Sequence, residues 1–367
     1  MSKNIEKRIA VIGVKGLPSF GGCARTNENI VKILNNKYKF TFYVLKSHHD
    51  LKYKIENVNF VQIGNHFNQN VSVALYYWKV FFHVLFKKKY DLIFINHYSS
   101  GIIIPFLRLK YSVVAALHGA GKDNKFHGFG KFYIKLSEYA FFKAANTIIS
   151  VSKEHLEYAK KFNVQNIYYI PNGINLNEKI TYTEMADKDY LVFAAARIYD
   201  IKGLHTLLKA LKRINIDRKL IVIGDLSQVP AYKKLILQLS EGLNVEYRGL
   251  IKDKNKLFSY IKNACLFIFP SVNEGMSNML LEVASIKTPV IASDIPANTT
   301  VFNEEEMLFF PVEDEAVLSE KIVWSLKENA MMKKKAQNAY EKISKMYTWE
   351  SAAKKYSEIF DKYFIDK

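Results

Sequence analysis

The chain has 367 residues, of which 49% are apolar and 14% aromatic, enough to build full hydrophobic cores and to exclude a disordered protein. This length fits two domains of ordinary size. The formal net charge of +18 predicts a negatively charged partner, such as anionic lipid headgroups, nucleic acid or phosphorylated substrates.

Only two cysteines are present, Cys23 and Cys265, so we expect a reducing compartment rather than a disulfide framework. The N-terminal residues lead directly into a strand without the apolar core of a signal peptide. No uninterrupted run of about 18 apolar residues occurs, so we expect no transmembrane helix. These features predict a cytoplasmic protein.

Buried strands alternate with helices along the whole chain, which predicts an α/β fold with parallel, doubly wound sheets. In the first half, strands are predicted at 8–14, 39–45, 58–63, 91–97, 112–118 and 147–151. A polar, irregular stretch at 174–189 reads as a linker and domain entry. In the second half, strands are predicted at 190–196, 219–224, 244–249, 265–269 and 289–293.

A glycine-rich loop, residues 15–22, follows the first strand. Glycine lets the backbone approach a ligand closely, so Gly21 and Gly22 are candidate ligand-contacting residues, with an ordinary turn as the alternative. The loop is not Gly-x-Gly-x-x-Gly, so a dinucleotide fingerprint is not supported. His118 ends another predicted strand, at the edge of the sheet where ligands bind in such folds.

The strand at 265–269 is followed by a loop and by a helix predicted over 276–285. Free backbone N–H groups at the helix start would suit a phosphate, and the residues concerned are Ser277, Asn278 and Met279. Glu274 in the loop and Glu282 two turns into the helix are good acceptors for sugar or ribose hydroxyls.

A second anion site is predicted after the strand at 190–196. Arg197 and Lys202 flank the start of the next helix, where cationic side chains join free N–H groups. No cysteine and histidine cluster suggests zinc, and Asp187-x-Asp189 lies in the polar linker, so no metal site is expected.

These motifs resemble the retaining nucleotide-sugar glycosyltransferases of family 4, of the type that build bacterial surface polysaccharides. The resemblance rests on Glu274-x7-Glu282 in its strand–loop–helix context and on Thr288-Pro-Val-Ile-Ala-Ser-Asp294. Gly21-Gly22, His118-Gly119 and Arg197 with Lys202-Gly203 extend it to both halves. It implies the GT-B fold, two Rossmann-like domains facing a cleft.

The resemblance also implies domain limits and roles. The acceptor-side domain would span 1–172, with the terminal helix 349–367 packing back on it, and the donor-binding domain 173–348. Two glycines and a histidine of the first domain, Gly21, Gly22 and His118, would contact the donor diphosphate and sugar.

In the second domain, Arg197 and Lys202 would hold the diphosphate, Glu274 the sugar and Glu282 the ribose. The backbone of Ile251 would line the nucleobase slot. The implied reaction is hexosyl transfer with retention from a UDP- or GDP-linked sugar, with no cofactor. No carboxylate nucleophile is evident, so front-face attack is expected.

A basic and aromatic stretch, residues 71–89, predicts a helix too short and interrupted to span a bilayer. It is either core or an interfacial helix that places Lys79 and Lys87–Lys89 at anionic headgroups. The second reading suits an inner-membrane surface and a polyprenyl-diphosphate-linked saccharide acceptor.

Two other functions remain open at this point. A nucleotide-sugar 2-epimerase on the same fold would convert the donor without any acceptor. A DNA-glucosylating protein would explain the charge of +18, although no nucleic-acid-binding motif is present and we expect no nucleic-acid partner.

Overall fold

The computed structural model describes residues 7–18, 22–64, 69–87, 89–118, 129–176, 180–184, 188–214, 216–276 and 278–364. The chain divides into two compact units. The first unit comprises Met1–Gly173 and Trp349–Lys367, and the second comprises Ile174–Thr348.

The first unit contains a parallel sheet in the order β3-β2-β1-β4-β5-β6-β7. Its strands are β1 (Arg8–Ile12), β2 (Lys39–Leu45), β3 (Val58–Ile63), β4 (Leu92–Ile95), β5 (Ser112–Leu117), β6 (Thr147–Ser150) and β7 (Ile167–Tyr169). Its helices are α1 (Gly22–Leu34), α2 (Gln69–Phe86), α3 (Ile104–Leu107), α4 (Phe129–Ala144), α5 (Lys153–Lys160) and α13 (Trp349–Asp361), with a 3-10 helix over Tyr98–Ile103.

Both faces of this sheet are buried. On one face α1 and α13 pack through side chains such as Ile30 and Phe360. On the other face α2 and α4 pack through side chains such as Val80 and Phe141. Burial on both faces explains why the strands read as continuous apolar runs rather than as alternating patterns.

The second unit repeats the arrangement with a parallel sheet in the order β10-β9-β8-β11-β12-β13. Its strands are β8 (Tyr190–Arg197), β9 (Lys219–Asp225), β10 (Val245–Gly249), β11 (Leu266–Phe269), β12 (Val290–Ser293) and β13 (Leu308–Phe310). Its helices are α6 (Leu204–Arg213), α7 (Pro230–Ser240), α8 (Lys254–Asn263), α9 (Asn278–Ser285), α10 (Pro296–Thr299), α11 (Glu315–Lys327) and α12 (Asn329–Met346).

Each of the two sheets has its own switch point, in the equivalent place. In each, the chain starts in the middle, fills one side, and then returns to fill the other, so the switch lies between β1 and β4 and between β8 and β11. Ligands of doubly wound folds bind at the carboxyl ends of strands beside such a point. The predicted α/β fold with two Rossmann-like units is therefore confirmed.

Some element ends differ from the predicted ones. β1 ends at Ile12 because Gly13 adopts a φ of 97° and leaves the extended conformation. The helix predicted from residue 276 begins at Asn278. β13 was not predicted, since three residues with one partly exposed are too short to show a pattern.

Candidate active site

Two turns of the second unit meet at its switch point. Gly203, with a φ of 69°, follows β8, and a Cβ added there would lie 1.8 Å from the carbonyl oxygen of Pro270, which follows β11. The backbone N–H of Val272 donates to the carbonyl oxygen of Ile201 at 2.8 Å. Only glycine permits this approach, which brings the β8–α6 turn against the β11–α9 loop.

This approach places a lysine against a glutamate. The Lys202 Nζ lies 2.5 Å from the Glu274 Oε1, and the two side chains are 21% and 15% exposed. The Ser271 hydroxyl donates to the same oxygen at 3.0 Å. A lysine ammonium has three N–H donors, so Lys202 can bind Glu274 and still donate to a further acceptor at the carboxyl ends of β8 and β11.

Arg197 adds a second cationic group at this edge. It is the last residue of β8, and it is exposed. Its backbone pairs with Asp225 after a register shift in the ladder between β8 and β9. Arg197 and Lys202 thus lie at the two ends of the segment between β8 and α6.

Glu282 lies in the second turn of α9 and is buried, with 7% of its surface exposed. The Lys254 Nζ lies 3.8 Å from its Oε1. Lys254 is the first residue of α8, and the sequence analysis did not single it out, although it follows directly on the loop after β10. A buried carboxylate with a nearby cation is a strong hydrogen-bond acceptor.

The other predicted donor-binding residues of the second unit lie at the start of α9 and just after β10. Asn278 begins α9, and its buried Oδ1 has no hydrogen-bond partner in the part of the chain that the structure describes. Met279 and Ile251 are partly buried and pack against the core of the second unit. Ser277 lies outside the described residues.

The first unit holds His118 immediately after β5, partly buried. Its Nε2 lies 3.3 Å from the Oδ1 of Asn96, which immediately follows β4. Burial, together with the smaller effects of the nearby His97 and His155, lowers the pKa of His118 to about 3. His118 is therefore neutral near pH 7, which suits a hydrogen-bonding role rather than that of a cation.

The glycine pair was predicted at the end of the first loop. Gly22 is the first residue of α1 and is exposed, whereas Gly21 lies outside the described residues. Cys23 follows, and burial raises its pKa to about 12, so its thiol is protonated and not a nucleophile.

No metal-binding group of three histidine, cysteine, aspartate or glutamate side chains occurs among the described residues. Of the acidic pair in the linker, Asp187 is not described, and the Asp189 Oδ1 lies 2.9 Å from the Arg218 Nε.

Two family models match consecutive parts of the chain. Residues 20–178 match a model of glycosyltransferase family 4, and residues 177–342 match a model of glycosyl transferases group 1. The second match contains Arg197, Lys202, Glu274 and Glu282. The chain has the GT-B fold, and each of its two halves matches a glycosyltransferase model.

The chain is similar to bacterial glycosyltransferases. The capsular polysaccharide biosynthesis glycosyltransferase CapM of Staphylococcus aureus is 26% identical over 50% of the chain and 49% of its own length. A Campylobacter jejuni enzyme, N-acetylgalactosamine-N,N'-diacetylbacillosaminyl-diphospho-undecaprenol 4-alpha-N-acetylgalactosaminyltransferase, is 26% identical over 55% of the chain and 56% of its own length. The chain thus spans about half the length of these curated relatives.

The fold agrees with solved structures at low sequence identity. Anabaena HepE in complex with UDP and glucose has a TM-score of 0.80 at 17% identity, covering 97% of this chain and 100% of HepE. At this identity the likeness concerns the fold alone.

Proposed function

We propose that this glycosyltransferase moves a hexosyl-type sugar from a nucleotide-linked donor to a saccharide acceptor, with retention of anomeric configuration. The pathway would be surface polysaccharide or glycoconjugate synthesis, as in the relatives. The observation that carries the proposal is the contact of Lys202 with Glu274 at the switch point of the second sheet.

This contact joins the two functions that donor activation needs. The ammonium of Lys202 and the guanidinium of Arg197 stabilise negative charge that develops on the leaving nucleoside diphosphate. The carboxylate of Glu274 accepts hydrogen bonds from sugar hydroxyls, and Glu282 accepts them from the ribose. UDP is our first choice of nucleotide because HepE shares the fold and binds UDP.

Retention follows in this proposal from front-face attack. A double displacement needs a second carboxylate about 5–5.5 Å from the first, on the opposite side of the sugar. Glu274, the carboxylate assigned to the sugar, is already held by Lys202 and Ser271, so we assign it to orientation rather than to nucleophilic attack.

The acceptor in this proposal is a polyprenyl-diphosphate-linked saccharide at an anionic membrane surface. The helix predicted at 71–89 is α2, and it is neither wholly core nor wholly exposed. Tyr77 and Val80 on one face are buried, whereas Phe82 and Phe86 on the other are 53% and 78% exposed.

A neighbouring segment extends this exposed face. Phe106 of α3 is 46% exposed and its ring centroid lies 5.6 Å from that of Trp78, while Leu109, just after α3, is 87% exposed. We call Phe82, Phe86, Phe106 and Leu109 the apolar patch of the first unit. An exposed apolar patch of this kind marks an interaction surface.

Basic side chains accompany the apolar patch. Lys79, Lys87, Lys89, Arg108 and Lys110 are all exposed, whereas Lys88 lies outside the described residues. Apolar side chains bordered by lysine and arginine fit the headgroup boundary of an anionic bilayer. No described helix is long and apolar enough to cross a membrane, so the proposed attachment is peripheral.

The test begins with thermal unfolding of the purified protein in the presence of UDP, GDP and their sugars, since a ligand that binds the native state raises the unfolding temperature. The stabilising donor is then incubated with and without a lipid-diphosphate-linked saccharide, and the anomeric configuration of the product is read by NMR. Transfer only with acceptor supports the proposal. Conversion of the donor alone would establish the epimerase instead, and inversion would overturn the retaining mechanism.

A further inference from the structure

Three polar side chains meet at the switch point of the first sheet. Asn27 lies in α1 after β1, Asn96 follows β4, and His118 follows β5. Asn96 is fully buried and Asn27 is 1% exposed. His118 was predicted as a site residue, whereas Asn96, which follows the neighbouring strand in the same way, was not.

The geometry fixes which side chain donates and which accepts in each hydrogen bond among them. The Asn27 Nδ2 lies 2.9 Å from the carbonyl oxygen of Cys23 and 2.8 Å from the Asn96 Oδ1. A backbone carbonyl can only accept, so the Asn27 atom facing Cys23 must be the amide NH₂ group. That group therefore donates to both oxygens, and the Asn96 atom facing it must be the oxygen.

The same Asn96 oxygen faces the His118 Nε2 at 3.3 Å. Because that oxygen can only accept, Nε2 must carry the hydrogen, and a neutral imidazole then has a bare Nδ1. No described residue forms a hydrogen bond with Nδ1. The fixed orientation of the imidazole thus leaves one acceptor lone pair without a protein donor in the described chain.

We propose that Asn27 and Asn96 are positioning residues that hold His118 in its Nε2–H tautomer, so that Nδ1 accepts a hydrogen bond from a hydroxyl of the donor sugar. The tautomer rests on geometry alone, whereas the sugar contact rests on the proposed function. The Asn96 Nδ2 and the Asn27 Oδ1 are buried without partners in the described structure. Such groups cost stability, so a role in orienting His118 explains the pair better than a role in folding.

The charge on His118 matters as much as its tautomer. The titratable groups that face it are His97 after β4 and His155 of α5, and both favour the neutral form. The Cys23 thiol beside Asn96 is protonated, because burial raises its pKa. The imidazole therefore accepts a hydrogen bond well, and it disfavours a sugar that presents a carboxylate, which has no hydrogen to donate.

The first experiment needs no change at Asn27 or Asn96. In protein labelled with ¹⁵N in its imidazoles, two-bond proton–nitrogen correlations distinguish the two tautomers and the imidazolium, and the His118 signal is assigned by its loss in His118→Gln. We expect the Nε2–H tautomer at pH 7 with no donor added. The Nδ1–H tautomer or an imidazolium would overturn the proposal even if transfer activity is normal.

The second experiment reads the pH dependence of kcat/KM for the donor. In Asn96→Asp a carboxylate faces His118, raises its pKa, and favours protonation of Nδ1, which can then no longer accept. Activity should therefore gain an acidic limb that the wild type lacks, with a loss of about tenfold for each pH unit below the raised pKa. The control is Asn263→Asp, the same substitution at an asparagine whose Nδ2 donates to two backbone carbonyl oxygens, at 3.0 and 2.8 Å, and which lies at the end of α8 away from the carboxyl edge.

Parallel pH profiles for wild type, Asn96→Asp and Asn263→Asp would overturn the positioning role. If Asn96→Asp does not fold, the tautomer in wild-type protein decides the question. The proposed function fails separately, if no nucleotide sugar binds a protein that shows the expected tautomer.

Discussion

The two units share a fold and a similar strand order, yet the carboxyl edge of one sheet carries charged side chains and that of the other carries neutral polar ones. In the second unit the edge holds charges, with Arg197 exposed and Lys202 in contact with Glu274. In the first unit it holds neutral groups, the Asn27 and Asn96 amides and an imidazole whose pKa burial lowers to about 3.

The difference follows from burial. Ions buried without compensation are costly, so the edge of the first sheet is built from two buried amides and a partly buried, neutral histidine, whereas Lys202 and Glu274 remain partly exposed and paired. Charged groups suit a diphosphate, and neutral acceptors suit sugar hydroxyls. Equivalent switch points in the two sheets thus suit two kinds of recognition.

The largest expected effect comes from removing charge at the second edge. Lys202→Ala should lower kcat by about 10²- to 10³-fold, the usual loss when one donor to a developing anion is removed. The control is Lys209→Ala, an exposed lysine of α6 in the same unit. Steady-state kinetics with circular dichroism would check both, and a Lys202→Ala enzyme with wild-type turnover would exclude the diphosphate role.

A smaller effect is expected from lysines on and just after α2, because the first unit carries positive charge there and not at its sheet edge. Lys79→Glu with Lys87→Glu should weaken binding to anionic liposomes by at least about 30-fold, because each lysine near such a surface contributes about 1 kcal/mol. The control is Lys333→Glu with Lys334→Glu, which changes the net charge by the same amount at exposed positions of α12.

Cosedimentation at low salt measures this partition, and added salt should weaken it. Equal losses in the two double variants would mean that net charge alone matters. Absence of binding by the wild type would contradict the membrane proposal and favour a nucleic-acid partner.

A third change separates ribose recognition from sugar recognition. Glu282→Gln should weaken nucleoside diphosphate binding by about fivefold, because a hydrogen bond to a charged acceptor is about 1 kcal/mol stronger than one to a neutral acceptor. Glu274→Gln should mainly lower transfer. Isothermal titration calorimetry with the nucleoside diphosphate measures the first effect in Glu282→Gln, in wild type and in an exposed control, Glu320→Gln. Unchanged affinity in Glu282→Gln would exclude the ribose role.

Much of the fold was predictable because its strands are buried on both faces. Lys39–Leu45, for example, is a largely buried run of mostly apolar and aromatic residues, and its predicted limits match the observed ones. The limits of the edge strand Val58–Ile63 also match, although its side chains are only partly buried or exposed. The irregular ends were less predictable. Gly13 and the 3-10 helix over Tyr98–Ile103 are set by tertiary contacts that no local pattern records.

The site was predictable only in part, for a similar reason. Motif spacing placed Lys202 and Glu274 after the carboxyl ends of two strands, but it did not predict their direct contact, which requires Gly203 to meet Pro270. Asn96 and Lys254 carry no motif. Only the order of strands shows that Asn96 lies beside His118, and that order comes from long-range pairing.

The smallest expected effect is none. If Arg197 and Lys202 supply the positive charge for the diphosphate, then treatment with EDTA should leave donor affinity and turnover within about twofold of their starting values, since no divalent cation is needed to balance the developing charge. The sharper form of the test compares wild type with Lys202→Ala. Added magnesium or manganese should not change the wild type, but it should partly restore the variant if a cation can take the place of the missing ammonium. Complete loss of wild-type activity on chelation, reversed by either metal, would show that side-chain charge does not suffice, and the contrast drawn between the two sheet edges would then need a metal ion at the second.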